Sequence, residues 1–142
     1  MRLRAVDTFR YWPAFEISFG AGFRCPFAAI GVLELMPPLA ALCPPAAVID
    51  KTRYSGFAEP KLLAHLRERE ADALIISGSE TDVCVLATVL SAVDLGYRVI
   101  VVRDAVCSSS DEGHVMLLRL YHTRFSEQIE TADAATILSR WH

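Results

Sequence analysis

Positive charge is in short supply in this chain, and lysine most of all. Fourteen Lys and Arg stand against 17 Asp and Glu, a formal net charge of −3, and the pI lies near 5.8. A nucleic-acid-binding domain shows a basic stripe or patch, so no nucleic-acid partner is expected. Long apolar runs are also missing. Nothing approaches the run of about 18 apolar residues needed to span a bilayer, and no membrane partner is expected. The opening MRLRAVDTFRYWP carries arginines but neither an apolar h-region nor a small-residue cleavage site, which argues against a signal peptide. The four cysteines, Cys25, Cys43, Cys84 and Cys107, lack CxxC spacing, so they encode no zinc cluster or redox pair. They read as reduced thiols of a cytoplasmic protein. No Walker loop and no GxGxxG occurs. Neither metal nor cofactor is expected.

Apolar surface, by contrast, is in excess. Hydrophobic residues make up 53% of 142 positions before glycine is counted, where an ordinary soluble domain has about 45–50% with glycine included. The length predicts a single domain over residues 1–142. A core of that size buries about 68–70% of the unfolded chain's surface, so no disulfide or metal is required for folding. The surplus predicts a sheet covered on both faces, surface hidden in a homo-oligomer, or a domain lacking one of its parts.

Residues 1–46 mix seven aromatics (Phe9, Tyr11, Trp12, Phe15, Phe19, Phe23, Phe27) with six prolines between Pro13 and Pro45. The mixture predicts irregular chain packed on a domain, with one short regular piece around Ile30 to Leu42. From 47 onward the pattern is regular. Apolar runs at 47–49, 73–76 and 97–102 predict buried strands, with a short edge strand at 128–130. Helices are predicted at 60–70, opened by Pro60, at 81–95, closed by Gly96, at 111–125 and at 132–141. Strands alternating with helices specify an α/β domain with a mostly parallel sheet. Ligands of such sheets sit beyond the carboxyl ends of the strands, which draws attention to Lys51, Gly78 to Cys84, and Asp104.

Cys84 follows a strand end in GSETDVCV. With Thr81 as N-cap it falls in the first helical turn, where unpaired N–H groups and the helix dipole activate nucleophilic cysteines. Most buried cysteines are merely small hydrophobes, and Cys25, Cys43 and Cys107 are read that way. Cys84 stays open between packing, nucleophile and redox-sensitive thiol. Lys51 is one of two lysines beside twelve arginines. At a strand's carboxyl end its amine could steady a developing negative charge, although an isolated lysine is usually a surface residue. Lys61, in an exposed first helical turn, is read as one. None of His65, His114, His122 and His142 stands at a strand end beside Cys84. His114 is read as a cap-region or packing residue, with ligand contact as the alternative that its strand-end neighbourhood leaves open.

The segments VIDKTRYSGF and LIISGSETDVCVLATVLSAVDLGYRVIVVRDAVCSSSDEGH together resemble the isochorismatase-like cysteine hydrolases, the superfamily of nicotinamidases and carbamoyl-amide hydrolases. The likeness runs from about Pro44 to the end of the chain. It implies a three-layer α/β/α, Rossmann-like domain with Cys84 as nucleophile and Lys51 as the triad lysine. It also implies a cis peptide between Ser79 and Glu80, and an oxyanion hole made by the backbone N–H groups of Glu80 and Cys84. Tyr54 and Phe57 are candidate substrate contacts. The implied activity is hydrolysis of a non-peptide C–N bond in a small amide or carbamoyl compound, through a thioester.

The resemblance also has a gap. The family's triad aspartate ends a first strand, separated from the lysine strand by at least one β-α-β unit, roughly 30 residues or more. Asp7 lies 44 positions before Lys51, too few once the aromatic, proline-rich stretch is accommodated. RAVDTFRYWP is read instead as the second strand and its loop, with the N-terminal strand and its aspartate absent. Two functions follow as expectations. One is an amidohydrolase working through Cys84 and Lys51; the alternative is a catalytically impaired relative acting as a binding or oligomerisation module.

Overall fold

The structure, a computed structural model, describes residues 37–43 and 46–140. Asp7, Cys25 and the other readings made before residue 37 lie outside the described residues. Within the described residues a short turn of helix, α1 (Pro37–Ala40), lies before the regular part.

Among the described residues three parallel strands form the sheet: β1 (Ala73–Ser79), β2 (Arg98–Cys107) and β3 (Ile129–Ala132), in that spatial order. Side chains alternate between the two faces of a strand, yet Val99, Ile100, Val101 and Val102 of β2 are all buried. Both faces of the central strand are therefore covered, as the continuous apolar run requires. The covering helices are α2 (Pro60–Glu68), α3 (Leu86–Asp94), α4 (Asp111–Arg124) and α5 (Ala134–Ser139). Leu62 and Leu66 of α2, Val89 and Ala92 of α3, and Tyr121 of α4 join the strands in one core. Among the described residues, no helix is long and apolar enough to cross a membrane.

Helix ends follow local chemistry. Pro60 opens α2 in its first turn, where a missing N–H costs nothing. At its end the N–H of Ala71 reaches the Leu66 carbonyl and that of Glu70 the Arg67 carbonyl, a Schellman closure. Its left-handed residue is Glu70, at φ 52°. α3 closes the same way, with Gly96 at φ 87° and the Tyr97 N–H on the Ala92 carbonyl.

Two expectations need correction. Residues 47–49 do not form a strand: Ile49 packs on the core, but Val48 is 50% exposed, so the segment is laid against the core by one side chain without joining the ladder. Strand β2 is also longer than its apolar run, continuing through Arg103 and Asp104 to Cys107. The charges that looked like a strand end are held by neighbours. Arg103 pairs with Asp133 at 2.6 Å, and Asp104 accepts the Ala134 N–H at 2.8 Å, at the start of α5. The register shifts between Ile76 and Gly78, where Ile76 faces Val101 but Gly78 faces Val106.

Candidate active site

Between β1 and α3 the chain makes a wide turn, Thr81–Val85, rather than an ordinary helical one. The Val85 N–H reaches back five residues to the Glu80 carbonyl at 2.9 Å, and the Leu86 N–H reaches the Thr81 carbonyl. Such π-type turns recur at functional sites. The N-cap is Glu80, not Thr81, because Glu80 is still extended and its carbonyl already accepts the first bonds of the turn. The Ser79–Glu80 peptide is cis. Cys84 lies inside the turn and is buried, as is Thr81.

Lys51 is 4% exposed, an unusual place for an ammonium group. Its Nζ donates to the Arg53 carbonyl at 2.9 Å. The segment that follows is fixed to α3. Ser55 Oγ donates to Ser91 Oγ at 2.9 Å, and the Gly56 N–H donates to Thr88 Oγ1 at 3.0 Å. Thr88 in turn donates to the Cys84 carbonyl at 2.8 Å. Lys51 and Cys84, far apart in sequence, thus sit on segments joined through one buried hydroxyl.

Of the two candidate substrate contacts, Tyr54 is 55% exposed and open to a ligand. Phe57 is placed otherwise. Its ring stacks on Tyr97, with centroids 5.8 Å apart, and Tyr97 immediately precedes β2 at the amino end of the sheet. The short 3₁₀ turn Gly56–Ala58, capped by Ser55 Oγ on the Phe57 N–H, directs it there. Phe57 therefore packs on Tyr97 beside the start of β2.

The other flank of the Cys84 turn is the β2–α4 loop. Ser109 donates to the Glu80 carboxylate through its hydroxyl at 2.7 Å and its N–H at 3.2 Å. Ser108 donates to Glu80 at 3.1 Å and also bonds to Asp82. Ser110 caps α4 by accepting the Gly113 N–H at 3.0 Å. His114 Nδ1 meets the hydroxyl of Thr81 at 2.9 Å. The Ser109 hydroxyl, then its N–H, hold the Glu80 carboxyl below the ordinary carboxylate value, with Ser108 adding to them against burial and the Asp82 charge. Sequence reasoning missed Ser108, Ser109 and His114 as neighbours of the turn. The available signal was the serine run directly after a strand end, the natural length for a loop that reaches across to an adjacent strand's turn.

Among the described residues, no group of three His, Cys, Asp or Glu could hold a metal ion. The arrangement offers a buried thiol in a first helical turn, a buried amine on a segment bonded to that turn, and an acidic residue clamped beside it.

Comparison with known proteins bears on the whole arrangement. The Isochorismatase domain family matches residues 27–133. An uncharacterized isochorismatase family protein of Bacillus subtilis is 40% identical over 81 residues, covering 57% of this chain and 44% of that protein. Maleamate amidohydrolase of Pseudomonas putida is 28% identical over 103 residues, or 68% of this chain and 48% of that enzyme. The crystal structure of a nicotinamidase from Bacillus subtilis superposes with a TM-score of 0.61 at 33% identity, covering 69% of this chain and 57% of that one. The chain spans about half the length of the curated relatives it matches.

Proposed function

The chain belongs to the isochorismatase domain family, and from that membership we propose that it is a cysteine hydrolase of small amide or carbamoyl compounds. The observation that supports this most is the junction of the buried Cys84 turn with the segment bearing the buried Lys51. In this reading Cys84 Sγ attacks the substrate's carbonyl carbon. The C–N bond breaks, the departing nitrogen takes the proton that the thiol gives up and leaves as ammonia or an amine, and the acyl group stays on sulfur as a thioester. Water then cleaves the thioester, releasing the acid or carbamate and restoring the thiol.

Charge on the carbonyl oxygen is met by the backbone N–H groups of Glu80 and Cys84, with the Lys51 ammonium steadying the site. The Val83 and Val85 N–H groups are already spent on the Glu80 carbonyl. The assignment of the Glu80 and Cys84 amides to the oxyanion follows the family resemblance. Tyr54 and Phe57 are the candidate substrate contacts. The small-molecule amide class follows the names of the relatives, a maleamate amidohydrolase and a nicotinamidase. We place the protein in the cytoplasm, where Cys84 stays reduced, and assign it no cofactor.

A second reading keeps the fold and binding site but gives up turnover, making the chain a binding or oligomerisation module. It is favoured by the exposed apolar side chains of α4, Val115, Met116 and Leu120. Ammonia release from a panel of small amides, nicotinamide and maleamate included, separates the two. The hydrolase reading predicts turnover that Cys84→Ala abolishes and that Lys51→Ala lowers by roughly 10²–10³-fold, as for loss of an electrostatic stabiliser. Absence of ammonia across the panel at high enzyme concentration, with ligand-dependent stabilisation, would favour the module.

A further inference from the structure

We propose that Thr88 is a positioning residue that sets the Lys51 segment on the Cys84 turn through a single hydroxyl bonded to both. The inference rests on reading Cys84 and Lys51 as a working pair, and it deepens that reading.

A threonine hydroxyl carries one proton and two lone pairs. Here the proton goes to the Cys84 carbonyl at 2.8 Å, and a lone pair accepts the Gly56 N–H at 3.0 Å. Thr88 is 1% exposed and Gly56 is buried. Water therefore cannot take over either bond, and a lost partner leaves a buried peptide group unsatisfied. Gly56 lies five residues after Lys51, and the ammonium is bonded to the Arg53 carbonyl between them. Backbone that fixes Gly56 thus also limits where the amine can sit. Ser91, one helical turn further along the same face of α3, repeats the device with Ser55. It does so one turn farther from Cys84, so of the two hydroxyls Thr88 is the one that touches both parts of the site.

Residue chemistry separates this role from packing. Thr88→Val keeps shape and apolar contact but removes both hydrogen bonds. Thr88→Ser keeps the bonds and removes a methyl group. A packing residue responds more to serine, a positioning residue more to valine.

The test uses the chain's own two lysines. Lys61 is exposed on α2 and serves as internal standard for Lys51 during acylation by an acetyl N-hydroxysuccinimide ester, read by peptide mapping. In the unaltered protein Lys51 is expected to react more slowly than Lys61. Thr88→Val should raise the Lys51-to-Lys61 rate ratio at least about fivefold, the equivalent of one hydrogen bond, while Thr88→Ser stays within about twofold. A control at the far helix, Tyr121→Phe, should leave the ratio unmoved. An unchanged ratio in Thr88→Val, or an equal rise in Thr88→Ser, overturns the proposal. If Thr88→Val does not fold, hydrogen exchange of the unaltered protein decides. Protection of the Gly56 amide comparable to that of α3 supports the tie, and exchange at the rate of an open loop refutes it. No substrate is needed, so failure to find amide turnover sinks the hydrolase reading without touching this result. An unmoved ratio in an active protein sinks only the role of Thr88.

Discussion

Gly113 lies in the first turn of α4, where the Asp82 side chain already occupies the space a methyl group would need. A Cβ there would overlap Asp82 Oδ2 and stand 2.9 Å from its Cγ. Exchanging a helical glycine for alanine ordinarily gains up to about 1 kcal/mol. At this position the methyl must push Asp82 off Ser108, which forfeits a hydrogen bond worth about 1 kcal/mol. Gly113→Ala is therefore expected to gain nothing alone, yet about 1 kcal/mol in an Asp82→Ala background, as measured by urea unfolding of the four combinations. Equal effects in both backgrounds would show that Asp82 does not restrict the turn. Glu80 supplies a pH dependence. Its carboxyl is held below the ordinary value by Ser109 and Ser108, so its contribution is present above the unfolded value near 4.5 and is lost as pH falls through the folded one. Acid should loosen the clamp on the Cys84 turn, and Ser109→Ala should move that loosening to higher pH, read as exchange of the residue 109 amide. Tyr121 behaves oppositely. Burial pushes its phenol up from 10.0 to about 12, so stability holds below pH 10 and declines as pH rises through the folded value, by about 3 kcal/mol in all. Its hydroxyl finds no partner among the described residues, hence Tyr121→Phe should match or exceed the parent in stability and flatten the alkaline decline. A loss above about 1 kcal/mol in Tyr121→Phe would mean the hydroxyl is bonded after all.

Among the elements, those set by period and punctuation were legible and those set by tertiary partners were not. Pro60, Gly96 and the apolar spacing of 62, 63 and 66 located α2 and the end of α3 from sequence alone. The runs 73–76 and 97–102 identified two buried strands. The length of β2 was hidden, because Arg103 and Asp104 are charged and their partners, Asp133 and the Ala134 N–H, belong to an element thirty residues away. The wide turn at 81–85 was hidden as well: TDVCV reads as an ordinary first helical turn, and only the bonds made by the Glu80 and Thr81 carbonyls show otherwise. For the same reason Cys84 and Lys51 could be singled out by position, whereas the Gly56–Thr88–Cys84 tie could not. The end of α2 offers a check on the cap argument. Glu70 holds φ 52° where glycine is the usual occupant. Glu70→Gly should stabilise the fold by up to about 1 kcal/mol, since a side chain in the left-handed region costs about 1–2 kcal/mol and glycine returns part of that as unfolded-state entropy. A lower denaturation midpoint in Glu70→Gly would contradict the cap geometry.

For the whole molecule, the apolar surplus visible in the composition reappears as exposed side chains. Val115 and Met116 of α4 are 63% and 60% exposed, and Leu138 of α5 is 68% exposed. In the module reading this surface is covered in a homo-oligomer, and sedimentation should show concentration-dependent association; a monomer at all concentrations would count against that reading. The central claim is chemical, and it is tested most directly by looking for the acyl group itself. Protein mixed with an amide that it hydrolyses is quenched in acid within one turnover, and its intact mass and tryptic peptides are read. The account predicts an added acyl mass confined to the peptide bearing Cys84, labile to hydroxylamine and absent from Cys84→Ala. Ammonia released without any such adduct, and undiminished in Cys84→Ala, would contradict it.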